Sequence, residues 1–224
     1  MGFQSYSRDL VEAKSTPVDV KFSSRAKRAT DVVIAAGMLC FLLPILLPIA
    51  LIIRLSDGGP ALFRQQRIGR DGEMFWCYKF RTMVTDADVR LEKLLLEDPV
   101  ARRQWRLAQK LDNDPRITKL GYFLRKSSLD ELPQLINILM GDMSLVGPRP
   151  IVRSEIEKYG EYFRDYCRVR PGLTGLWQIS GRSDTTYQER VNFDVKYVDE
   201  WTYAEDIKII LKTVPAVLRS NGAR

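Results

Sequence analysis

The run Val32–Ile53, VVIAAGMLCFLLPILLPIALII, holds 22 residues with no charge and no hydroxyl. At about 1.5 Å per residue it is long enough to cross a hydrocarbon layer of roughly 30 Å. The core helix of a soluble protein is seldom apolar all round over such a length. Signal sequences start nearer the N-terminus and end at small residues, whereas here 31 residues precede the run and Arg54 follows it. The segment is therefore expected to enter a membrane.

Entering is not crossing. Lys14, Lys21, Arg25, Lys27 and Arg28 lie before the run, and Arg54, Arg64, Arg67 and Arg70 lie after it. A spanning helix usually keeps its basic residues on one side, the cytoplasmic one. Pro44 and Pro48 fall inside the run; each removes an amide donor and crowds the carbonyl four residues back, on Cys40 and Pro44. A helix that dips in, bends at Pro44 and returns to the same face accounts for both observations. A kinked spanning helix is the alternative.

The remainder of the 224-residue chain is long enough to bury a core. It contains no His, which excludes Ser-His-Asp and Cys-His catalysis and His-ligated metal sites. Cys40, Cys77 and Cys167 stand apart without a CxxC, as ordinary thiols do. The net charge of +7 predicts anionic partners. Ala61–Ile68 and Glu73–Phe80 around Gly69-Arg70-Asp71-Gly72 read as a β-hairpin, with Lys79 and Arg81 on one face. Residues 86–111 read as a charged helix with a break at Pro99, and 129–140 as a short apolar one. From Ala204, residues Ile207, Ile210, Leu211, Val214, Val217 and Leu218 form a helical stripe that packs on the core or lies on a membrane, with Trp201 and Tyr203 before it as interfacial anchors. The first 20 or so residues read as a loose tail.

Two motifs carry candidate chemistry. Ser128-Leu129-Asp130-Glu131 precedes the apolar helix, so Ser128 with Glu131 could be a capping box. The same position puts two carboxylates at a helix start beside Arg125 and Lys126, where Asp can serve as a nucleophile in phosphoryl transfer. Gly147-Pro148-Arg149-Pro150 holds one Arg between two rigid residues, suited either to gripping a phosphate or to a plain turn. The glycines Gly172, Gly175 and Gly181 with Arg182 make a basic loop that is not a nucleotide-binding fingerprint.

Together, Asn113-Asp114-Pro115-Arg116-Ile117-Thr118, Leu124-Arg125-Lys126-Ser127-Ser128-Leu129-Asp130-Glu131-Leu132-Pro133-Gln134 and Gly141-Asp142-Met143-Ser144-Leu145-Val146-Gly147-Pro148-Arg149-Pro150 resemble the bacterial sugar transferase family, the monotopic phosphoglycosyl transferases. The likeness runs from about Lys27 to the C-terminus, through Tyr78-Lys79-Phe80-Arg81-Thr82-Met83 and Pro171-Gly172-Leu173-Thr174-Gly175-Leu176-Trp177-Gln178. It implies transfer of a sugar-1-phosphate from a nucleotide diphosphate sugar, UDP-galactose or UDP-glucose by expectation, to undecaprenyl phosphate with Mg2+. By motif position Asp130 is the nucleophile that forms a covalent phosphosugar, and Glu131 completes the dyad; both are also the expected metal ligands. Lys79, Arg81, Arg116, Arg125, Arg149 and Arg182 fall where the family places substrate-binding cations. The family's re-entrant helix is kinked at a Ser-Pro pair, but here the pair is Leu43-Pro44, without the serine that would bond the freed carbonyl. The large N-terminal spanning region of some members is not in the sequence, so the chain is similar to the short galactose phosphotransferases of exopolysaccharide synthesis.

The expected fold is α+β and mainly helical: a tail over 1–26, a re-entrant membrane helix over 27–56, and a small cytoplasmic catalytic domain over 57–224 with a β-hairpin and interfacial amphipathic helices. The expected location is the cytoplasmic face of the bacterial inner membrane, in contact with its lipid. The homodimer stays open, and nucleic acid is not an expected partner, because no binding motif accompanies the positive charge. The rival reading, a non-catalytic membrane scaffold, explains the hairpin and the stripe but not the Asp-Glu pair among its cations.

Overall fold

The computed structural model describes residues 24–108, 111–180 and 185–218, a mainly helical α+β fold with two small sheets. Most of the expected 1–26 tail lies outside them. The apolar run sits in α1 (Arg25–Asp57), a helix of 33 residues that continues through Pro44 and Pro48. It ends at Gly58, whose φ of 72° is open to glycine and whose amide closes the last turn on the Arg54 carbonyl at 3.1 Å. Its length and composition suit a membrane.

One face of α1 is buried: Lys27, Asp31 and Ala35 near the start, Leu46, Ile49 and Ile53 towards the end. The opposite side stays open, with Phe41 81% exposed and Val33, Leu47 and Leu55 exposed beside it. At the start, Ala35 joins a core with Leu135, Ile138, Met143, Val146, Tyr197 and Ile209. Further along, Leu46, Ile49 and Ile53 pack with Phe80 and Leu124. Each such fully buried aliphatic side chain contributes on the order of 1.5–3 kcal/mol. Both ends of the helix therefore rest on one folded body.

The hairpin forms as the sequence predicts. β1 (Leu62–Ile68) pairs antiparallel with β2 (Met74–Phe80), from Leu62 opposite Phe80 to Ile68 opposite Met74. The charged stretch splits into α2 (Ala87–Glu97) and α3 (Pro99–Ala108). Pro99 starts the second helix, where its missing N–H costs nothing, and Asp98 caps it by accepting the Val100 amide at 2.7 Å. Then come α4 (Lys119–Ser127) and α5 (Gln134–Met140). β3 (Ser144–Val146) runs parallel to β4 (Gly172–Thr174), with the short helices α6 (Ile156–Tyr159) and α7 (Phe163–Cys167) between them. A Cβ on Gly172 would stand 2.1 Å from the Gly147 nitrogen, so this approach of two backbones requires glycine. The chain continues through α8 (Leu176–Ser180), α9 (Tyr187–Asp199) and α10 (Tyr203–Leu218).

Two expectations about the C-terminal part need correction. In α10 the inward side is Asp206 and Ile209, with Ile207, Ile210 and Thr213 half-buried, whereas Leu211 and Val214 of the expected stripe are exposed, so packing on the core accounts for only part of it. The side chains of Val217 and Leu218 lie outside the described residues. A buried polar network stands beside the apolar packing of Ile209: Lys27 donates to Asp206 at 2.6 Å and to the Val146 carbonyl at 3.1 Å. Trp201 is no exposed anchor either; it is 8% exposed and donates its indole N–H to Asp206 at 3.0 Å. Tyr203 does stay exposed.

Candidate active site

The turn between α4 and α5 carries the two carboxylates. Thr118 starts α4 by accepting the Gly121 amide at 2.9 Å. The helix stops at Ser128, whose φ of 58° is left-handed and whose amide returns to the Leu124 and Arg125 carbonyls. A single 3-10 turn, Leu129–Glu131, follows, and Pro133 leads into α5. The expected capping box is therefore absent: Ser128 closes the helix behind it and makes no side-chain cap ahead. A left-handed serine is uncommon and is held by its surroundings, as strained backbone at functional sites often is. It leaves the Asp130 and Glu131 side chains free for other partners.

Glu131 has found them. Lys79, on β2, donates to its Oε1 at 2.5 Å, and Arg149 Nη1 stands 3.9 Å from the same oxygen. Burial pushes the Glu131 carboxyl up, but Lys79 and Arg149 outweigh it and hold it down to about 2. Asp130 behaves oppositely. Burial is the largest influence, the neighbouring Glu131 charge adds to it, and Lys79 and Arg125 oppose only in part, so its pKa is raised to about 6. Asp130 makes no ion pair among the described residues. Two adjacent carboxylates are thus driven apart: one locked as an anion by cations, the other a desolvated anion at neutral pH, as a nucleophile must be.

Arg125 stays close to the dyad, its Nε donating to Thr82 Oγ1 at 2.9 Å, and the Asp130 charge supports it. Lys79, Arg125, Arg149, Asp130 and Glu131 therefore come together as expected. Arg81 does not share the site. It falls just past the end of β2, pairs with Asp57 and donates to the Ile53 carbonyl at 3.2 Å, fastening the end of α1. Arg116 is buried against Asp114 at 2.6 Å and lies over the Trp105 ring at 5.0 Å. Its charge is used to fold the turn. Arg182 lies outside the described residues.

The cleft beside Glu131 also contains residues that sequence reading missed: Arg67, Gln134 and Gln178 line it with Lys79, Arg149 and Cys77. Burial raises the Cys77 thiol, which removes it as a nucleophile. Arg190, behind the cleft, was missed too. The available signal was Arg190 and Asp194 interrupting the inward stripe of α9 with Val191 and Val198, and both are in fact buried.

Asp130 and Glu131 fit a divalent cation in one specific way. Among the described residues no third Asp, Glu, His or Cys joins them to form a ligating group. Mg2+ commonly takes one or two carboxylates and completes its shell with water and substrate phosphates. The dyad suits that shared arrangement and not an all-protein cage.

The bacterial sugar transferase family model matches residues 22–220. The chain belongs to that family. This bacterial sugar transferase is 51% identical over 204 residues to the undecaprenyl-phosphate galactose phosphotransferase of Salmonella typhimurium, covering 91% of the chain and 43% of that protein. It is 50% identical over 198 residues to the exopolysaccharide production protein ExoY of Rhizobium meliloti, covering 88% of each. It is 43% identical over 196 residues to the UDP-glucose:undecaprenyl-phosphate glucose-1-phosphate transferase of Escherichia coli, covering 84% of the chain and 39% of that relative. The chain thus spans less than half the length of the Salmonella and E. coli relatives and most of the length of ExoY.

Proposed function

We propose that this sugar transferase moves a sugar-1-phosphate from a UDP-sugar, UDP-galactose or UDP-glucose, to undecaprenyl phosphate, in two steps through Asp130. The observation that carries the reading is the split dyad: Glu131 held by Lys79 at 2.5 Å and Asp130 beside it without an ion pair among the described residues. In the first step an Asp130 carboxylate oxygen attacks the sugar-bearing phosphorus. The bond from that phosphorus to the bridging oxygen breaks, UMP leaves, and an aspartyl phosphosugar remains. In the second step a phosphate oxygen of undecaprenyl phosphate attacks the same phosphorus and regenerates the carboxylate. The acceptor is already an anion at neutral pH, so the lack of His is no obstacle. Arg149, Lys79 and Arg125 offset the donor's charge, while Glu131 keeps Lys79 in place. Mg2+, held by the dyad and the donor phosphates, would supply further charge neutralisation on the diphosphate.

The same proposal places the catalytic domain on the cytoplasmic face of the inner membrane with α1 re-entrant. It is supported by the basic residues on both flanks of the apolar run and by the packing of both ends of α1 on one body. The product is the lipid-linked sugar that starts an exopolysaccharide or another surface glycan. Purified protein given a panel of UDP-sugars without acceptor tests the chemistry: UMP release and covalent labelling at Asp130 are expected with the true donor. UMP release that strictly requires acceptor, with no labelled protein, would establish direct transfer instead.

A further inference from the structure

Two guanidinium groups converge on a single indole behind the dyad. The Arg149 Cζ lies 5.7 Å from the Trp177 ring centroid, and the Arg190 Cζ lies 5.2 Å from it. Trp177 is fixed in turn: it sits on α8 directly after β4, and its Nε1 donates to Thr185 Oγ1 at 2.7 Å. Arg190 is 8% exposed, stands 3.5 Å from Glu155, and its Nε and Nη2 have no hydrogen-bond acceptor among the described residues. The Arg190 guanidinium also lies over the Tyr187 ring, its Cζ 5.1 Å from the centroid.

Arg149 needs such a support. Pro148 and Pro150 fix its backbone, yet its side chain makes no hydrogen bond among the described residues and is a third exposed. Glu131 at 3.9 Å is a loose ion pair, too long for a hydrogen bond. A long side chain with so few fixed contacts retains rotamer freedom, which binding a phosphate would have to quench. An aromatic face within about 6 Å of the guanidinium attracts it without using any of its N–H donors, so those stay free for an anion.

We infer that Trp177 is a positioning residue for Arg149, holding the guanidinium ready for the donor diphosphate, with Arg190 anchoring the indole from behind. The inference rests on the assignment of Arg149 to the donor phosphates proposed above. It predicts a specific coupling: Trp177 matters only when Arg149 is there to be held.

The test is a double-mutant cycle on the full-length protein in lipid nanodiscs, with UDP as the binding probe and UDP-sugar turnover as the second readout. Trp177→Leu is expected to weaken UDP binding and raise the donor KM about tenfold, with a smaller change in kcat. Trp177→Phe keeps a ring face and should recover most of the loss; it also serves if the leucine variant folds poorly, which melting temperatures will show. In an Arg149→Ala background, Trp177→Leu should have little further effect. Additive losses, or a phenylalanine variant as weak as the leucine one, overturn the positioning role alone. UDP binding by the wild type that is insensitive to Arg149→Ala overturns the donor-site assignment, and the positioning role with it.

Discussion

Asp31, in the second turn of α1, accepts the Leu145 amide at 3.0 Å, four residues before Arg149. Its other oxygen accepts the Ser144 hydroxyl at 2.8 Å. One turn earlier, Arg28 donates to the Ile138 and Leu139 carbonyls at 2.6 and 3.0 Å, at the C-terminal end of α5. The N-terminal turns of α1 thereby hold both elements of the site, the strand leading to Arg149 and the helix following the dyad.

Asp31→Asn keeps the shape but cannot accept at both oxygens, so one of two buried donors loses its partner. A buried unsatisfied group costs roughly 1–3 kcal/mol. The expected outcome is a lower melting temperature together with a raised donor KM, since the strand that presents Arg149 loosens. A variant with wild-type melting and wild-type KM would show that β4 alone holds the strand.

Asp130→Asn should stabilise the protein while abolishing transfer. The folded pKa of about 6 exceeds the ordinary 3.8, so the stability tied to the protonated carboxyl is complete below about 4 and is lost as pH rises through 6. At neutral pH the ionised Asp130 therefore destabilises the fold, by on the order of 1–3 kcal/mol once partial exposure is allowed for. The variant should melt higher than wild type at pH 7.5, with the gap closing towards pH 4. A drop in melting temperature at neutral pH would mean that Asp130 mainly stabilises the turn.

The pH dependence of the first step follows from the same group. In the proposed first step the attacking Asp130 oxygen must be ionised, so the single-turnover rate of UMP release should rise through pH 6 and level off above pH 7. Glu131, held down to about 2 by Lys79 and Arg149, contributes no step in this range. Lys79→Met removes its closest partner and should move the inflection upward, because Asp130 loses an opposing charge. An unshifted inflection would place the titrating group elsewhere.

Local features were legible in the sequence because they depend on neighbours along the chain: the hairpin around Gly69-Arg70-Asp71-Gly72, the break at Pro99 and the Asp130-Glu131 pair. Lys79 and Arg81 show where that reading stops. Strand alternation put them on one face, but β2 ends at Phe80, and the turn out of it sends Arg81 back to Asp57. Arg116 resembles a site cation by its motif, and in the fold it pairs with Asp114, a partner two residues away. Ser128 matched a capping pattern, but its left-handed conformation is decided by the packing of α4 against the turn. Arg67 carries no local signal as a site residue, and the break that Arg190 makes in the inward stripe of α9 does not say what it faces, since only tertiary folding brings β1 and α9 around Glu155, at 3.8 and 3.5 Å.

The position of α1 in the bilayer is the last expectation. Lys27, Arg28 and Asp31 at one end and Ile53 and Asp57 at the other all contact the same folded body. If the dyad faces the cytoplasm, where UDP-sugars are, both ends of α1 must lie there too, and the exposed side with Phe41 and Leu47 is what enters lipid. Single cysteines at Ala26 and Ser56, in a background without Cys40, Cys77 and Cys167, should resist a membrane-impermeant thiol reagent in intact cells and react after lysis. Replacing Pro44 and Pro48 with Leu restores two amide donors and favours a straight crossing. That change works against the contacts of Lys27 with Val146 and Asp206, buried groups whose separation costs on the order of 3–5 kcal/mol. The Ala26 site should therefore become reachable from outside only when Lys27→Leu is added to the proline substitutions. Labelling of Ala26 from outside in the otherwise native helix would instead establish a spanning segment, with the N-terminal contacts of α1 broken in the membrane.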